Sequence, residues 1–290
     1  LPAAAGAVLS ASHNPAAHNG VKLFGPKGQK LDDAWEDEIE RRALSLDPMP
    51  SPRRRIKPFL KAREQYIQFL LGTWPAEVSL RGVPLVLDCA NGATSTVAPA
   101  LFRWLGAKVT VLSASPNGRN INRGCGALHP ESLARAVRRT GARLGVAFDG
   151  DGDRAIFVDE VGHPRDGDAV LLAAARHLSV RGKLREGTVV VTVMSNLGLL
   201  RALEALGFRT EVTAVGDKNV WQGMKKTGAA LGGEPSGHVI FRDFLPTGDG
   251  LLTALQVAAL LVETGHPFSS LTSLAVHYPQ VLLNVPVRER

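Results

Sequence analysis

Short apolar runs typical of strands alternate with longer amphipathic runs typical of helices along most of this chain. "PLVLD" (84–88) precedes "TVAPALFRWLG" (96–106), "AKVTVL" (107–112) precedes "PESLARAVRRTG" (130–141), and "TVVVTV" (188–193) precedes "LGLLRALEALG" (197–207). Strands joined by crossover helices predict βαβ units and mainly parallel sheets. The pattern restarts near Asp166 and predicts further helices at 168–180 and 217–227, so we expect two complete α/β domains preceded by a partial one.

A proline-rich segment, "DPMPSPRRRIKP" (47–58), interrupts the pattern. Proline cannot continue a helix or an inner strand, which predicts a connection near a domain edge. The runs on either side of it, 32–44 and 59–72, have the pattern of helices. The chain begins without methionine inside a strand-like run, "GAVLSASHNP", which indicates a truncated N-terminus.

Composition and charge restrict the class of function. A hydrophobic fraction of 44% with 21% charged residues is typical of a globular protein. The net charge is +7, but Arg53–Arg55 is the only basic run and aromatic residues are 6%. A surface for stacking single-stranded nucleic acid is therefore not expected, and nucleic-acid binding ranks behind an enzyme for anionic small molecules.

Cysteine usage and hydropathy predict a cytoplasmic protein. The two cysteines, Cys89 and Cys125, are far apart and form no CxxC pair. A disulfide framework or a zinc site is therefore not expected, and a reducing compartment is the default. We find no secretory signal, and the most apolar helical run, 251–262, is too short to span a bilayer.

The stretch "AFDGDGDRAIFVDE" (147–160) predicts a metal site. Asp149, Asp151 and Asp153 alternate, so in an extended segment their carboxylates point to one side. Three like charges this close require a cation, and oxygen ligands favour Mg²⁺ or Ca²⁺. An EF-hand is excluded because Arg154 stands where that loop needs glycine, and because strands flank the segment.

A second stretch, "GGEPSGHVIF" (232–241), lies before a short apolar strand. Glu234, Ser236 and His238 alternate between glycines. A carboxylate, a hydroxyl and an imidazole on one face suit the binding of polyol hydroxyls. A capped turn without binding function explains the same residues, so the stretch does not decide between the two.

The stretch "SASHNP" (10–15) contains a candidate nucleophile. Ser12 is followed by His13, and Lys22 begins the next apolar run. A serine beside a lysine can act as a nucleophile, and Asn14 and Pro15 predict a rigid turn that exposes Ser12. The alternative is a turn capped by Ser12 with a surface histidine and lysine.

Together these motifs resemble the α-D-phosphohexomutase superfamily, and most closely the bacterial phosphoglucosamine mutases. "SASHNP" is similar to the family's phosphoserine loop, "DGDGDR" to its metal loop and "GGEPSGH" to its sugar-binding loop. "DCANGAT", "PNGRNINRGCGALHPESL", "VGDK" and "TGDGLLTALQV" are also similar, so the resemblance runs from about residue 6 to about 285.

The resemblance implies a mechanism. Ser12 would carry a phosphoryl group, and an oxygen of that group would join Asp149, Asp151 and Asp153 as ligands of one Mg²⁺. The phosphoryl group would pass to glucosamine 6-phosphate, forming a hexosamine 1,6-bisphosphate that also serves as activator. The other phosphate would then return to Ser12, releasing glucosamine 1-phosphate for UDP-N-acetylglucosamine and cell-wall synthesis.

The remaining roles also follow from the resemblance. Lys22 would act as general acid or base, while His13 and Arg154 would stabilise the moving charge. Glu234, Ser236, His238 and Lys218 would contact the sugar. The partner is then a phosphosugar, without nucleic acid or membrane, and a homodimer is the candidate assembly.

The resemblance also implies the domain organisation. It assigns 1–70 to the C-terminal part of domain 1, 71–165 to domain 2, 166–278 to domain 3 and 279–290 to the connection to a fourth domain. The family's fourth-domain motif, RxSGTEP, does not occur here. We therefore expect a fragment with the chemistry loops intact, without the phosphate clamp, and with low or no turnover.

One position departs from the sugar-binding loop of phosphoglucosamine mutases. Pro235 stands where they usually carry glutamine. This leaves a phosphomannomutase or phosphoglucomutase, or an inactive fragment of such a mutase, as the alternatives.

Overall fold

The computed structural model describes residues 3–26, 28–31, 33–46, 57–283 and 285. Most of the predicted connection at 47–58 lies outside these residues. So do Asp32, at the start of the predicted helix 32–44, and residues 284 and 286–290 of the predicted link to a fourth domain.

The strands of the described residues are short and distributed along the whole chain. They are β1 (Gly6–Ser10), β2 (Gly20–Phe24), β3 (Pro84–Asp88), β4 (Lys108–Leu112), β5 (Leu144–Phe148), β6 (Ala155–Asp159), β7 (Pro164–Arg165), β8 (Thr188–Thr192), β9 (Arg209–Thr213), β10 (Leu231–Gly233) and β11 (Val239–Phe241).

The longer helices occupy amphipathic runs that the sequence predicted, with ends shifted by no more than one turn, and the short helix Phe268–Leu271 was not predicted. They are α1 (Asp33–Ser45), α2 (Ala62–Gly72), α3 (Ala98–Trp104), α4 (Glu131–Thr140), α5 (Gly167–Val180), α6 (Leu197–Ala205), α7 (Asp217–Thr227), α8 (Gly250–Thr264) and α9 (Phe268–Leu271). The helix predicted at 217–227 is confirmed at both ends. None of the helices in the described ranges is long and apolar enough to cross a bilayer.

β1 and β2 form an antiparallel hairpin around the "SASHNP" turn. Ser10 lies opposite Gly20, and Val8 lies opposite Lys22. Residues directly opposite in an antiparallel pair share a face, and so do residues two apart on one strand. Ser10 and Lys22 therefore point to the same side of the hairpin, although twelve positions separate them.

The next sheet has the strand order β4-β3-β5-β6-β7. β3, β4 and β5 are parallel, as their crossover helices α3 and α4 require. β6 and β7 add to it antiparallel, because only a tight loop joins β5 to β6. The sheet is therefore mixed, and that tight loop, residues 149–154, lies at the carboxyl end of a parallel strand.

The third sheet has the order β11-β10-β8-β9. β10, β8 and β9 are parallel, and β11 returns antiparallel to β10. The turn between β10 and β11 contains the "EPSGH" residues. The second sequence motif thus also follows the carboxyl end of a parallel strand, where α/β sheets place ligands.

One apolar core joins the second and third sheets. Phe148 and Phe157 of the second sheet belong to the same buried cluster as Val191 of the third sheet and Leu255 of α8. Phe157 also packs against Phe268, with ring centroids 5.8 Å apart. The two motif-bearing loops are therefore held by continuous packing rather than by a flexible linker.

Candidate active site

Ser12 lies at the tip of the β1–β2 hairpin in a left-handed backbone conformation, with φ +49°. Its amide donates to Ser10 Oγ (2.7 Å), and the amide of Asn14 closes a turn onto the Ala11 carbonyl (2.9 Å). The Ser12 hydroxyl is 3.3 Å from His13 Nδ1. A non-glycine residue at positive φ is uncommon and strained, and such residues concentrate at functional sites.

Asp149, Asp151 and Asp153 come together in the loop that follows β5. One ligand atom from each lies within 4.8 Å of the others. The prediction of an extended segment is wrong, because Asp149 Oδ1 accepts hydrogen bonds from the amides of Gly152 (3.0 Å) and Arg154 (3.1 Å). These two bonds close a tight turn, and the turn brings the carboxylates together.

The free oxygens of this cluster fit a hard cation. Asp149 Oδ2, Asp151 Oδ1 and Asp153 Oδ1 are buried and have no hydrogen bond from any described residue. A buried carboxylate oxygen without a partner is costly. Mg²⁺ and Ca²⁺ take carboxylate oxygens as ligands, so these three atoms are the set that could hold such an ion.

Ser10 and Lys22 of the hairpin meet the carboxylate cluster. Lys22 Nζ donates to Asp151 Oδ2 (2.7 Å) and Asp153 Oδ2 (3.0 Å). Ser10 Oγ donates to Asp151 Oδ2 at 2.5 Å, and the amide of Gly150 donates to the Ser12 carbonyl (3.1 Å). The structure thus places Ser12, Lys22 and the three aspartates in one site.

Charge and burial act strongly on the ionisable groups of this site. Burial raises the pKa of Asp149 to about 8, and the charges of Asp153 and Asp151 add to the effect. Burial also raises the pKa of Asp153, but hydrogen bonding and charge from His238 and Lys22 outweigh it and hold that pKa well below its usual range. Perturbed carboxylates of this kind cluster at functional sites.

The two basic groups shift in opposite directions. Burial lowers the pKa of Lys22, but the carboxylates of Asp153 and Asp151 outweigh it, so its pKa is raised overall. The pKa of His13 is lowered by burial and by the charge of Arg154. Arg154 itself lies beside the cluster, with Nε 3.8 Å from Asp153 Oδ1 and 4.0 Å from Asp149 Oδ2.

Glu234, Ser236 and His238 lie in a tight turn, not in an extended segment with one face. The Glu234 amide donates to the His238 carbonyl (3.0 Å), and Glu234 Oε1 accepts from the Gly216 amide (2.9 Å). Ser236 Oγ is buried without a hydrogen bond from the described residues. This hydroxyl is the part of the turn left free to bind a polar group.

The side chain of His238 links the turn at 234–238 to the carboxylate cluster. Its Nε2 accepts from the Gly248 amide (3.1 Å), and its Nδ1 lies 3.9 Å from Asp153 Oδ2. The residue is 3% exposed. The structure therefore places its ring among protein groups, where it supports Asp153.

Lys218 lies apart from these residues. Its Nζ forms ion pairs with Asp33 (2.5 Å) and Glu36 (3.4 Å) of α1. The preceding residue, Asp217, approaches the site instead, with Oδ2 3.8 Å from His238 Nε2 and 2.5 Å from Lys30 Nζ. The structure brings the other ten predicted residues into one region and leaves Lys218 at the edge.

The start of α8 supports the carboxylate loop. Sequence reasoning did not predict this contact. The Gly250 amide donates to the Gly152 carbonyl (2.8 Å). Asp249 caps α8 by accepting from the Leu252 amide (2.9 Å), and it also accepts from the Tyr66 hydroxyl (2.8 Å). An aspartate before an apolar helical run is a visible capping signal, but the contact of the next residue, Gly250, with Gly152 is not visible in the sequence.

Family models match nearly the whole chain. Those for the phosphoglucomutase/phosphomannomutase α/β/α domains I, II and III match residues 1–48, 64–162 and 166–278. The chain belongs to this phosphohexomutase family. The resemblance inferred from the three motifs is therefore confirmed, as is the predicted series of mixed-sheet α/β domains.

Curated phosphohexomutases are similar over the full length of the chain. A phosphoglucosamine mutase from Geobacillus kaustophilus is 48% identical over 295 residues, covering 100% of this chain and 66% of the relative. The phosphoglucosamine mutase of Anaeromyxobacter dehalogenans is 48% identical over 303 residues, with the same coverage. The chain thus spans slightly less than two thirds of the length of these relatives.

Solved phosphohexomutase structures share the fold. A phosphoglucomutase/phosphomannomutase family protein from Burkholderia thailandensis is 27% identical, with a TM-score of 0.76 over 96% of this chain and 59% of that one. The N-acetylphosphoglucosamine mutase of Aspergillus fumigatus, solved with GlcNAc-6P and magnesium, is 20% identical, with a TM-score of 0.75 over 99% and 76%. At that identity the likeness concerns the fold alone.

Proposed function

We propose that this protein interconverts glucosamine 6-phosphate and glucosamine 1-phosphate by phosphoryl transfer through Ser12. The observation that carries the proposal is the meeting of Ser12, Lys22 and three converging carboxylates at one point. Phosphoryl transfer depends mainly on positioning and charge neutralisation, and this set supplies both. The 48% identity to curated phosphoglucosamine mutases supports the choice of sugar.

The reaction consists of two transfers that balance each other. The phosphoryl group on Ser12 Oγ is transferred to the free hydroxyl of glucosamine 6-phosphate, which loses its proton. The bond between phosphorus and Ser12 Oγ breaks, and the serine hydroxyl is restored. The product is a hexosamine 1,6-bisphosphate. After this intermediate reorients, its 6-phosphoryl group is transferred to Ser12 Oγ, and glucosamine 1-phosphate leaves. The same bisphosphate, supplied from outside, phosphorylates Ser12 at the start.

Lys22 and His13 handle the proton and the charge of these steps. Lys22 Nζ is held by Asp151 and Asp153, within the site where the hydroxyl of the sugar must lose or gain its proton. His13 Nδ1 lies 3.3 Å from the oxygen that carries the phosphoryl group, and Arg154 adds a fixed positive charge. Such groups lower the barrier by neutralising charge as it moves.

Asp149, Asp151 and Asp153 would hold one Mg²⁺ together with an oxygen of the phosphorylated Ser12. When bound, the ion neutralises phosphoryl oxygens and fixes their orientation. Ser236 and Glu234 are proposed to bind sugar hydroxyls, with His238 holding the turn against Asp153. Lys218 stays a predicted substrate contact, and its ion pairs with α1 predict that this contact contributes little to binding.

The partners and location belong to the same proposal. A phosphosugar substrate is supported by the basic groups around Ser12, and a homodimer stays a prediction. A cytoplasmic location is supported by two free, buried cysteines, Cys89 and Cys125.

The proposal is tested by following sugar phosphates by ³¹P NMR with Mg²⁺ and a catalytic amount of hexosamine 1,6-bisphosphate. We expect glucosamine 1-phosphate to form from glucosamine 6-phosphate, and Ser12→Ala to abolish the conversion. Faster conversion of mannose 6-phosphate or glucose 6-phosphate would overturn the choice of sugar. Equal rates for Ser12→Ala and the unmodified chain would overturn the nucleophile.

A further inference from the structure

We propose that Asn122 is a positioning residue that holds the Ser12 turn against the carboxylate loop. This inference rests on the proposed function, since it assigns Asn122 to the site where Ser12 is phosphorylated. Asn122 lies in the segment between β4 and α4, far from Ser12 in sequence, and belongs to none of the three motifs that predicted the site.

The side-chain amide of Asn122 bridges two carbonyls of the Ser12 turn. Its Nδ2 donates to the Ser12 carbonyl at 2.7 Å and to the Asn14 carbonyl at 2.8 Å. Asn122 is 7% exposed, so both bonds are shielded from water. Buried hydrogen bonds leave unsatisfied acceptors when they are broken, which makes this contact costly to lose.

The backbone of Asn122 is itself fixed. Its φ is +57°, a conformation that asparagine tolerates better than most residues. Its amide donates to the carbonyl of Ala90 (2.9 Å), which lies just beyond the end of β3. The side chain therefore projects from a rigid part of the second sheet.

The same Ser12 carbonyl receives a second bond from the carboxylate loop. The Gly150 amide donates to it at 3.1 Å. A Cβ on Gly150 would lie 2.5 Å from this carbonyl oxygen and 2.7 Å from Asn122 Nδ2. Ser12, Asn122 and Gly150 are thus in close mutual contact, and the height of Ser12 above the aspartates depends on all three.

The amide of Asn122 can make both bonds because its nitrogen carries two hydrogens and both partners are carbonyl oxygens. A carboxylate of the same shape has no donor and would face two acceptors. Positioning matters here because misplacing a reacting group by about 1 Å can cost on the order of a hundredfold in rate.

The test compares Asn122→Gly with a matched control, Asn91→Gly. Asn91 also has a positive φ, of +48°, and its side chain bonds to groups that lie outside the Ser12 turn: the Asn120 carbonyl, the Ser115 amide and Cys125 Sγ. Glycine tolerates positive φ, so each variant loses an amide without added backbone strain. Two quantities are measured on the whole chain: hydrogen exchange of the amides of residues 10–14, and the rate of phosphate uptake by Ser12 from hexosamine 1,6-bisphosphate.

We expect Asn122→Gly to speed exchange at residues 12–14 about tenfold, because two hydrogen bonds that hold the turn are lost. Phosphate uptake should slow at least about tenfold at saturating bisphosphate, with the half-saturating concentration changed less than about twofold. Asn91→Gly should leave both quantities within about twofold of the unmodified chain, even where its melting temperature falls equally.

Equal exchange in the two variants would overturn the role of Asn122. Faster exchange in Asn122→Gly with unchanged phosphate uptake would overturn it as well, since the contact would then be structural only. If exchange is faster in Asn122→Gly but neither the variants nor the unmodified chain takes up phosphate, the result supports the contact and counts against the proposed function. The two inferences can therefore fail separately.

Discussion

Lys22 illustrates, at the scale of single residues, what proximity along the sequence can and cannot predict. The sequence predicted a lysine near Ser12, and in the structure both residues lie against the carboxylate loop. The partners of its ammonium group, Asp151 and Asp153, are 129 and 131 positions away. No local pattern predicts such a contact, because it depends on how the hairpin docks on the second sheet.

We predict that Lys22→Met lowers the stability of the metal-free protein and slows phosphate uptake by Ser12. Without the ammonium group, three carboxylates repel one another without compensation. The melting temperature in EDTA should fall, and Mg²⁺ should raise it more than in the unmodified chain. Phosphate uptake by Ser12 should slow by about 10²–10⁴-fold, the usual effect of losing a general acid or base.

Lys30→Met is the matched control for this prediction. Lys30 pairs with Asp217, and its side chain is 31% exposed against 29% for Lys22. Its loss should leave the response to Mg²⁺ unchanged. An equal response to Mg²⁺ in the two variants would show that Lys22 has no special relation to the carboxylates.

Asp168 gives a pH dependence that is independent of the candidate site. Burial raises its pKa to about 6 from an ordinary 3.8. Between about pH 4 and pH 6 the folded chain therefore holds a proton that the unfolded chain has lost. Because the folded chain binds more protons, the free energy of unfolding falls as the pH rises through that window. From pH 4 to pH 7 the unfolding free energy of Asp168→Asn should fall by about 2 kcal/mol less than that of the unmodified chain.

Urea unfolding at several pH values checks this prediction. Asp243→Asn is the control, since Asp243 is exposed and pairs with Arg185. A steeper pH dependence in Asp168→Asn than in the unmodified chain would contradict the assignment.

At the scale of elements, the local signals were sufficient for helices and insufficient for the turns of the site. The alternating pattern placed α7 at 217–227 because that signal is local to the run of residues that forms the helix. The aspartate motif was predicted as extended, yet it folds into a turn stabilised by Asp149 itself. A period of two suits a strand, but glycines between polar residues allow a turn equally well, and only the tertiary contacts decide.

The start of α8 yields a prediction at this scale. Gly250 lies against the carboxylate loop, and a Cβ there would be 2.5 Å from the Arg154 carbonyl oxygen and 2.9 Å from that of Gly152. Gly250→Ala must therefore displace either α8 or the loop. We expect a loss of about 1–3 kcal/mol of stability and weaker Mg²⁺ binding, measured by calorimetric titration.

Gly72→Ala is the control for Gly250→Ala. Gly72 ends α2, and apart from the backbone of that helix and the adjacent residues, no atom of the described residues lies within 4 Å of where a Cβ would be. Alanine at a helical position should be neutral or stabilising by up to about 1 kcal/mol. If both variants bind Mg²⁺ as tightly as the unmodified chain, α8 does not support the loop.

At the scale of the whole molecule, the sheets and motifs follow from the alternating pattern, and their mutual arrangement does not. The apolar core that joins Phe157 to Phe268 is a consequence of hydrophobic runs visible in the sequence. The polar contacts that the hairpin and α1 make with the rest of the chain involve single side chains, as in the pairs of Lys22 with Asp151 and of Asp33 with Lys218. The pairing of Lys218 with α1 could therefore not be predicted from the sequence, and its contact with the substrate stays a prediction.

The ion pairs of Lys218 lead to a prediction at this scale. Asp33 is 85% exposed, and exposed pairs contribute at most about 1 kcal/mol. Lys218→Ala should change the unfolding free energy by less than that amount and leave the affinity for sugar phosphate within about threefold. A much larger loss of sugar-phosphate affinity, measured by titration calorimetry, would show that Lys218 contacts the substrate as the sequence predicted.

The central claim concerns Ser12, and phosphopeptide mapping tests it most directly. The purified chain is incubated with Mg²⁺ and a hexosamine 1,6-bisphosphate, digested and analysed by mass spectrometry, with Ser10 of the same peptide as an internal reference. We predict phosphate on Ser12, none on Ser10, and loss of the label when glucosamine 6-phosphate is added. Phosphate on another residue, or a labelled Ser12 that no sugar phosphate discharges, would contradict the account.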